Sequence, residues 1–228
     1  MRDGGRVKVP ASRLVAVIRS KANLRRAEHL RVLPDLFELR LDAFPALTAR
    51  MAAAVEKLPR AVIITARHPA EGGKGNLSAA ERRRLLWQFL PWAVGVDVEL
   101  RSARHLHSLL AQVREQKQTL ILSVHHLRRT PSPHEMAEHL TRARDLRADI
   151  FKIATRTDTT GDVDRLLAFF DKHREQIPIS AMGFGRYGRQ SRIELLRRGS
   201  ALNYVHLGRA ALPGQLSLAE ARRLARAR

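Results

Sequence analysis

The amino-acid sequence predicts an α/β protein, a (β/α)₈ or TIM barrel with eight parallel strands. Eight short apolar runs typical of strands alternate with segments of helical periodicity. Strands that are separated by helices pair in parallel, and eight such units close into a barrel. We expect a single barrel domain over residues 1–228, a length within the range of this fold. A doubly wound open sheet is the structural alternative, because it has the same alternation.

The predicted elements follow one another in order along the chain. The strand-like runs cover residues 14–18, 36–41, 61–66, 94–100, 120–125, 149–154, 177–182 and 201–207. Helical periodicity covers residues 46–58, 79–90, 103–116, 134–146, 163–175 and 218–225, and it is weaker over 21–34 and 190–197. Helix starts are marked by capping boxes such as Ser78 with Glu81 and Ser132 with Glu135. In either fold the functional site lies at the carboxyl ends of the strands.

The charge balance raises the question of nucleic acid. The chain has 42 Lys and Arg residues against 22 Asp and Glu residues, a net charge of +20 at pH 7. Aromatic residues are only 5% of the chain, which leaves little surface for base stacking, and the arginines are scattered along the sequence. We therefore favour a basic surface with a site for an anionic small molecule, and we do not expect a nucleic-acid partner.

Cysteine is absent, which excludes disulfides, thiolate metal sites and a cysteine nucleophile. Residues 1–10 have no apolar core of a signal peptide. No apolar run approaches the ~20 residues of a membrane span. These features predict a soluble, cytoplasmic protein without a membrane partner.

Charged residues interrupt strands that should be apolar if helices cover the sheet. A period of two places Glu38, Arg40 and Asp42 on one face of their strand, and Asp97 and Glu99 repeat this pattern. In a barrel these side chains would point inward. An interior ion-pair network that only sets packing, such as Glu38 with Arg40, is the alternative. Because buried ion pairs contribute little net stability, we favour a functional interior.

Residues with chemical functions lie at the ends of several strands, where a barrel has its active face. Lys152 lies within the apolar run 149–154, and a neutral amine in an apolar pocket is a nucleophile that forms Schiff bases. His125 ends the preceding strand and suits general acid–base catalysis. An exposed lysine and a histidine satisfied by the backbone are the alternatives. The other candidates at strand ends are Glu38, Arg40, Arg67, Glu99, Met182 and Gln215.

Other motifs do not predict a site. Residues 183–188 resemble a dinucleotide fingerprint, but they follow the seventh strand and no acid lies about 20 residues on, so we expect a mobile loop at the site mouth. Residues 71–75 are not a P-loop, because no Ser or Thr follows Lys74. His105 and His107 are two residues apart and would not face each other on a helix. His126 must point away from His125.

The candidate residues belong to an ordered set of short motifs. These are Thr65-Ala66-Arg67, Glu71-Gly72-Gly73, Ser123-Val124-His125, Phe151-Lys152-Ile153-Ala154, Met182-Gly183, Ser191-Arg192 and Pro213-Gly214-Gln215. In this order and spacing the set resembles the type I 3-dehydroquinate dehydratase family, over most of the chain. The resemblance implies a (β/α)₈ barrel that converts 3-dehydroquinate to 3-dehydroshikimate in the shikimate pathway of aromatic amino acid biosynthesis. It also implies a homodimer and a reaction without metal or organic cofactor.

The resemblance also implies a role for each residue. Lys152 would form an imine with the C3 ketone of the substrate, and His125 would move a proton from C2 to the C1 hydroxyl. Glu71 would orient His125. Arg192 would bind the substrate carboxylate, because its planar fork suits that group. Cations around Lys152 would favour its neutral amine. The residues that would bind hydroxyls and close the pocket are Glu38, Arg40, Arg67 and Gln215.

Three places depart from the family pattern. His126 stands where an Asp usually follows the catalytic histidine, Ala211 stands where a Ser usually precedes Pro-Gly-Gln, and the segment 183–190 looks longer and more basic. One alternative function is therefore a catalytically impaired basic barrel that serves as a binding or scaffold protein. Another is a Schiff-base barrel of aldolase type, which would have no use for the set Glu71, His125, Arg192 and Gln215.

Overall fold

A computed structural model describes residues 12–44 and 49–226, and this part of the chain contains eight strands. The strands are β1 (Arg13–Ile18), β2 (Leu36–Arg40), β3 (Val62–Thr65), β4 (Ala93–Glu99), β5 (Thr119–His126), β6 (Ile150–Arg156), β7 (Ile179–Phe184) and β8 (Leu202–His206). Their order in the sheet is β7-β6-β5-β4-β3-β2-β1-β8, and every pairing is parallel. Consecutive strands are therefore neighbours, as the predicted barrel requires.

Helices connect the strands and cover the outside of the sheet. They are α1 (Lys21–Glu28), α2 (Ala49–Glu56), α3 (Ala79–Phe89), α4 (His107–Glu115), α5 (Pro133–Asp145), α6 (Thr160–His173), α7 (Gly188–Arg198) and α8 (Leu218–Arg226). A large apolar core lies between these helices and the strands. The alternation confirms the predicted (β/α)₈ architecture.

Serine hydroxyls link β7 and β8, the two end strands of the ladder. Ser180 Oγ donates to the carbonyl of Leu202 at 2.6 Å, and Ser200 Oγ accepts from the backbone N–H of Ala181 at 3.1 Å. These bonds satisfy polar groups that an open sheet would leave at its edges. The structure is thus a nearly closed barrel, and the open sheet is excluded.

Capping residues fix the starts of several helices. Ser78 Oγ accepts from the backbone N–H of Glu81, and the Glu81 carboxylate accepts from Ser78 N, so the predicted capping box is complete. At α5 only the Ser132 hydroxyl bond forms. The Glu135 carboxylate there pairs with Arg129 instead, at 2.7 Å.

The inward faces of the strands change from apolar to polar along the chain direction. Leu36, Ile121 and Ile150 belong to an apolar cluster inside the barrel. Two residues further along their strands, Glu38 and Lys152 point the same way, because side chains alternate with a period of two. The apolar cluster therefore forms a floor, and the polar side chains gather above it at the carboxyl ends.

The segment 183–190 is not the loop that the sequence predicted. Its first two residues end β7 and its last three begin α7, so only residues 185–187 connect them. A Cβ on Gly183 would lie 2.2 Å from Ser191 Oγ, so this glycine permits close contact between strand and helix. Gly185 makes the turn with a φ of 100°. The glycines thus reflect packing and turn geometry.

Two other predictions concern element limits. Helix α4 begins at His107, later than the predicted start at residue 103, because a 3₁₀ turn precedes it. Residues 1–10 and the first residues of the predicted helix 46–58 lie outside the described part of the chain. No helix in residues 12–44 or 49–226 combines the length and apolar character needed to cross a membrane.

Candidate active site

A cavity of about 190 Å³ opens at the carboxyl ends of the strands. The structure places eight of the residues predicted from the sequence around this cavity: Lys152, His125, Glu71, Glu38, Arg40, Arg67, Arg192 and Gln215. Met182, Phe184 and Tyr204 add apolar and aromatic surface to the lining. Side chains from seven of these strands, or from the segments that follow them, therefore meet in one place, as in barrel active sites.

Lys152 lies at the bottom of the cavity with its amine buried. Nζ is 2.7 Å from Asp97 Oδ2 and 3.4 Å from Glu38 Oε1. It also lies 3.7 Å from the centroid of the Tyr204 ring. The nearest charged groups are carboxylates, so the expectation that cations surround this amine is wrong. Two carboxylates and a ring face stabilise a cation here, either the ammonium or a protonated imine.

Asp97 links the lysine to the other polar groups of the barrel interior. It accepts from Ser123 Oγ at 2.6 Å and from Arg67 Nη2 at 3.1 Å. Burial alone would raise the pKa of Asp97, but Lys152 and Arg67 hold it well below its usual value. Asp97 is therefore ionised at neutral pH and supplies a fixed negative charge beside the amine.

Arg67 is a buried cation surrounded by acids. Its guanidinium lies 3.1 Å from Asp97, 3.6 Å from Glu99 and 3.8 Å from Glu38. Burial by itself lowers the pKa of Arg67, but these carboxylates raise it above its usual value. With Lys152 beside Asp97 and with Arg82 at 3.2 Å from Glu99, the cluster contains three cations and three carboxylates, so its charges balance inside the barrel. Such a balance allows ionised groups to be held without water.

Arg40 pairs with Asp42, so the pair of Glu38 with Arg40 considered from the sequence is not formed. The Arg40 Nε and Nη2 atoms donate to the two carboxylate oxygens at 2.9 and 2.8 Å, a bidentate arrangement. Asp42 also accepts from the backbone N–H of Arg67 at 3.1 Å and of Lys74 at 2.9 Å. Burial opposes this ionisation, yet Arg40 and these bonds lower the pKa of Asp42. Asp42 thereby anchors the segment that follows β3.

His125 is held between Glu71 and Arg67. Its Nδ1 lies 2.9 Å from Glu71 Oε2, and Arg67 Nη1 lies 2.8 Å from Nδ1 and 2.5 Å from Nε2. Arginine only donates, and in the part of the chain that the structure describes only Nδ1 has an acceptor in reach, Glu71 Oε2. The neutral ring therefore carries its proton on Nδ1 and leaves Nε2 unprotonated. Burial, Arg67 and Lys152 lower the pKa of His125 well below its usual value. The ring is therefore a neutral base at pH 7.

Glu71 titrates near neutrality. Burial and the nearby Glu99 raise the pKa of Glu71 to about 7, although Arg67 and Arg101 act in the opposite direction. Oε2 accepts both from the His125 ring and from the His125 backbone N–H, at 2.9 and 3.0 Å. Above about pH 7 the ionised carboxylate can balance a positive charge on the ring.

Arg192 is a buried cation of a different kind. Its Nε donates to the carbonyl of Gly183 at 2.8 Å, and its Nη1 donates to the carbonyl of Tyr204 at 3.0 Å. Among the described residues, no carboxylate lies within ion-pair distance of it. Burial lowers the pKa of Arg192 to about 10, so the side chain stays charged at neutral pH. Both terminal nitrogens keep free N–H donors, which suits bidentate binding of a carboxylate from outside the chain.

Gln215 lies in the connection between β8 and α8. Its Oε1 accepts from the backbone N–H of Ala211 at 2.9 Å, which fixes the turn. Gly214 has a φ of 84°, and a Cβ there would lie 2.5 Å from the backbone nitrogen of Arg189. The glycine therefore allows the connection to pack on the start of α7 and cover the cavity.

Sequence reasoning did not identify two of the residues that contact Lys152. The sequence pattern predicts that Asp97 faces inward but indicates no role for it, and it does not single out Tyr204. The period of two along β8 could have placed Tyr204 inside, but that strand has no charged residue to draw attention. Conversely, Glu99 does not line the cavity. It accepts from Arg82 Nη1 at 3.2 Å and from the backbone N–H of His68 at 3.0 Å.

Comparisons with known proteins agree on one family. A family model described as type I 3-dehydroquinase matches residues 14–228. The catabolic 3-dehydroquinate dehydratase of Acinetobacter baylyi is 29% identical over 196 residues, which cover 81% of this chain and 72% of that protein. The 3-dehydroquinate dehydratase of Thermodesulfovibrio yellowstonii is 32% identical over 189 residues, which cover 81% of each chain.

Solved structures show the same similarity. The 3-dehydroquinate dehydratase of Geobacillus kaustophilus superposes with a TM-score of 0.86 at 26% identity, covering 96% of this chain and 91% of that one. The enzyme of the same name from Aquifex aeolicus superposes with a TM-score of 0.79 at 28% identity, covering 92% and 96%. The similarity thus extends over nearly the whole barrel.

Proposed function

This chain belongs to the type I 3-dehydroquinase family, and on that premise we propose which residues carry its reaction. The chain is a hydro-lyase that removes water from 3-dehydroquinate to give 3-dehydroshikimate in the shikimate pathway. We propose that Lys152 forms the imine, that His125 moves the proton, and that Glu71 supports His125. The observation that carries this proposal is the buried amine of Lys152 at the bottom of a cavity that also contains His125 and Arg192.

Imine formation uses the amine of Lys152 and the C3 ketone of the substrate. The amine, once it has lost a proton, attacks C3, and the ketone oxygen leaves as water. The resulting protonated imine carries the positive charge that the ammonium carried before. Asp97 and Glu38 face that nitrogen at 2.7 and 3.4 Å, so the same carboxylates stabilise both cations. The counter-charge therefore need not move during the step.

Proton transfer then uses Nε2 of His125. The imine withdraws electrons from C2, so a C2 proton passes to Nε2 and leaves an enamine. The enamine expels the C1 hydroxyl, which takes the proton from His125 and leaves as water. Glu71 balances the imidazolium through Nδ1, while Arg67 destabilises it and so favours return of the proton. Hydrolysis of the new imine releases 3-dehydroshikimate and the free amine.

Substrate positioning requires a partner for the single carboxylate of 3-dehydroquinate. Arg192 supplies that partner, because it is a buried cation whose terminal N–H groups lack an acid among the described residues. Arg40 and Gln215 lie at the same cavity and would bind hydroxyls of the ring. Glu38 and Arg67, which also line it, act mainly by holding the charges around Lys152.

Several further properties complete the proposal. We propose a single catalytic domain, supported by the match to one family model over residues 14–228. We also propose that the enzyme is a cytoplasmic homodimer that uses no organic cofactor and does not bind nucleic acid, as the sequence predicted. Analytical ultracentrifugation, cell fractionation and a nucleic-acid binding assay at low and high salt test these properties.

Mass spectrometry after borohydride reduction tests the proposed roles. The protein is mixed with 3-dehydroquinate and borohydride, and we expect one reduced adduct per chain, mapped to Lys152. In His125→Ala the imine should still form but not proceed, so its adduct should be heavier by one water than the product adduct. An adduct at another lysine, or none on folded protein, would refute the role of Lys152. A His125→Ala variant without an adduct would refute the division of roles.

A further inference from the structure

Two histidines and a glutamate meet on the outer side of the barrel, next to the active site. His126 is the last residue of β5, directly after His125. Because side chains alternate along a strand, His125 faces the cavity and His126 faces α5. Glu135 lies in the first turn of α5 and His139 lies one turn later, so both point from the same side of the helix.

The ligand atoms of the three side chains lie slightly farther apart than those around a bound metal ion. One ligand atom from each lies within 4.8 Å of those of the other two. His126 Nδ1 is 3.9 Å from Glu135 Oε1, and the rings of His126 and His139 are 5.2 Å apart between centroids. Zinc bonds of about 2.0–2.2 Å in a tetrahedron place ligand atoms roughly 3.3–3.6 Å apart. Small side-chain rotations therefore suffice to close the site.

Unused hydrogen-bonding capacity is a second, independent feature of this cluster. His126 Nε2 and His139 Nδ1 are buried and have no hydrogen-bond partner within residues 12–44 and 49–226. Buried polar atoms without partners are rare in folded proteins and call for a ligand or another explanation. Burial lowers the pKa of both histidines, that of His126 to about 4, so the rings are neutral at pH 7. Neutral imidazole is the form that binds metals.

The carboxylate of Glu135 is held in a suitable position. Arg129 donates to its Oε2 at 2.7 Å, which leaves Oε1 turned toward His126. Burial would raise the pKa of Glu135, but the hydrogen bond and charge of Arg129 lower it, so the group is ionised. A bound cation would share this carboxylate with Arg129.

We propose that His126, Glu135 and His139 bind a divalent transition metal such as Zn²⁺, with water as the fourth ligand. Two imidazoles and a carboxylate form a donor set that zinc accepts. None of the three lines the substrate cavity. The metal therefore has a structural role, in which it ties the end of β5 to the first turns of α5. Because His125 is the neighbour of His126, this tie also fixes the strand end that carries the proton-transfer residue.

Cobalt binding tests the proposal with the whole, tag-free chain after removal of metals with a chelator. We expect one Co²⁺ per chain, with the intense visible absorption of a four-coordinate site, and displacement of Co²⁺ by Zn²⁺. Zinc at 100 times its Kd should raise the Tm by roughly 5–10 °C. Absence of the Co²⁺ spectrum together with an unchanged Tm would overturn the proposal.

Variants on α5 separate this site from adventitious binding. His139→Ala and Glu135→Gln should each weaken Co²⁺ affinity at least about 10-fold. His134→Ala is the matched control, because His134 is exposed on the same helix and outside the cluster. The Co²⁺ affinity of His134→Ala should equal that of the wild type. Circular dichroism and dehydratase turnover check that each variant is folded. Equal affinity in folded His139→Ala and His134→Ala, or equal loss in both, would assign the metal to adventitious histidines and refute the site.

Discussion

The two sides of the active-site cavity hold their buried arginines in opposite ways. On the side formed by β2 to β6, which we term the acid-rich side, Arg67 lies among Asp97, Glu99 and Glu38. On the side formed by α7 and β8, which we term the acid-free side, Arg192 bonds only backbone carbonyls among the described residues. Charges that the chain balances internally can position reacting groups. A buried cation without an acid is ready to take its counter-ion from the substrate.

The largest expected effect is on the acid-rich side, in Lys152→Met. Removal of the amine removes the imine, so turnover should fall on the order of 10⁴-fold or more. Asp97 keeps Arg67 as a partner, so the chain should remain folded. Steady-state kinetics and thermal unfolding measure the two effects. Lys172→Met, at an exposed lysine of α6, is the control and should keep full turnover. Substantial activity in Lys152→Met would rule out the imine mechanism.

Matched substitutions of Arg67 and Arg192 test whether the acid-rich side and the acid-free side differ in role. Arg67→Gln leaves buried carboxylates without their cation, so the free energy of unfolding should fall by about 3–5 kcal/mol. Arg192→Gln removes a substrate contact that involves a charged group, so KM should rise about 10- to 100-fold. Its stability loss should be smaller, about 1–3 kcal/mol, because only two carbonyls lose their donor.

Urea unfolding measures the free energy of unfolding of Arg67→Gln and Arg192→Gln, and steady-state kinetics measures their KM. Arg192→Lys keeps the charge without the planar fork and should have an intermediate KM. If Arg192→Gln lost stability as strongly as Arg67→Gln while its KM stayed normal, the two sides would not differ in role, and the carboxylate would bind elsewhere.

Glu71 gives the acid-rich side its pH dependence. Its pKa of about 7 in the free enzyme predicts that kcat/KM falls as pH drops through neutrality, because the protonated carboxyl no longer balances the imidazolium. Glu71→Gln should lose this acid limb, with kcat/KM at pH 8 reduced about 10-fold. A kcat/KM profile with an unchanged acid limb in Glu71→Gln would assign the limb to another group.

The raised pKa of Glu71 also predicts the direction in which the free energy of unfolding changes with pH. Folding raises the pKa of Glu71 above its ordinary value, so the folded chain binds this proton more tightly. The resulting stabilisation is present at low pH and is lost as pH rises through about 7. The wild type should therefore lose stability relative to Glu71→Gln between pH 5 and 8, and urea unfolding at both values measures it.

The barrel and its site were predictable to different degrees. Apolar runs that alternate with helical periodicity predict the order of strands and helices, because a barrel strand is buried on both faces and a helix along one stripe. Lys152 and His125 stand out in sequence because they interrupt apolar strands near the carboxyl ends. Asp97 against Lys152, and Arg67 against His125, could not be predicted, because such contacts depend on how neighbouring strands are staggered. The segment 183–190 was misread, because glycines needed for close packing look like glycines in a loop.

The smallest expected effect concerns Ala211 on the acid-free side. Ala211 lines the cavity, and its backbone N–H donates to Gln215 Oε1, a bond that a side-chain change leaves intact. Ala211→Ser adds a hydroxyl that the family pattern has at this position, and one neutral hydrogen bond should lower KM about 3-fold. Ala210→Ser, one residue earlier and outside the lining, should leave KM unchanged. An equal KM in both variants would mean that the β8–α8 connection only covers the cavity, and that Arg192 and Gln215 alone hold the substrate there.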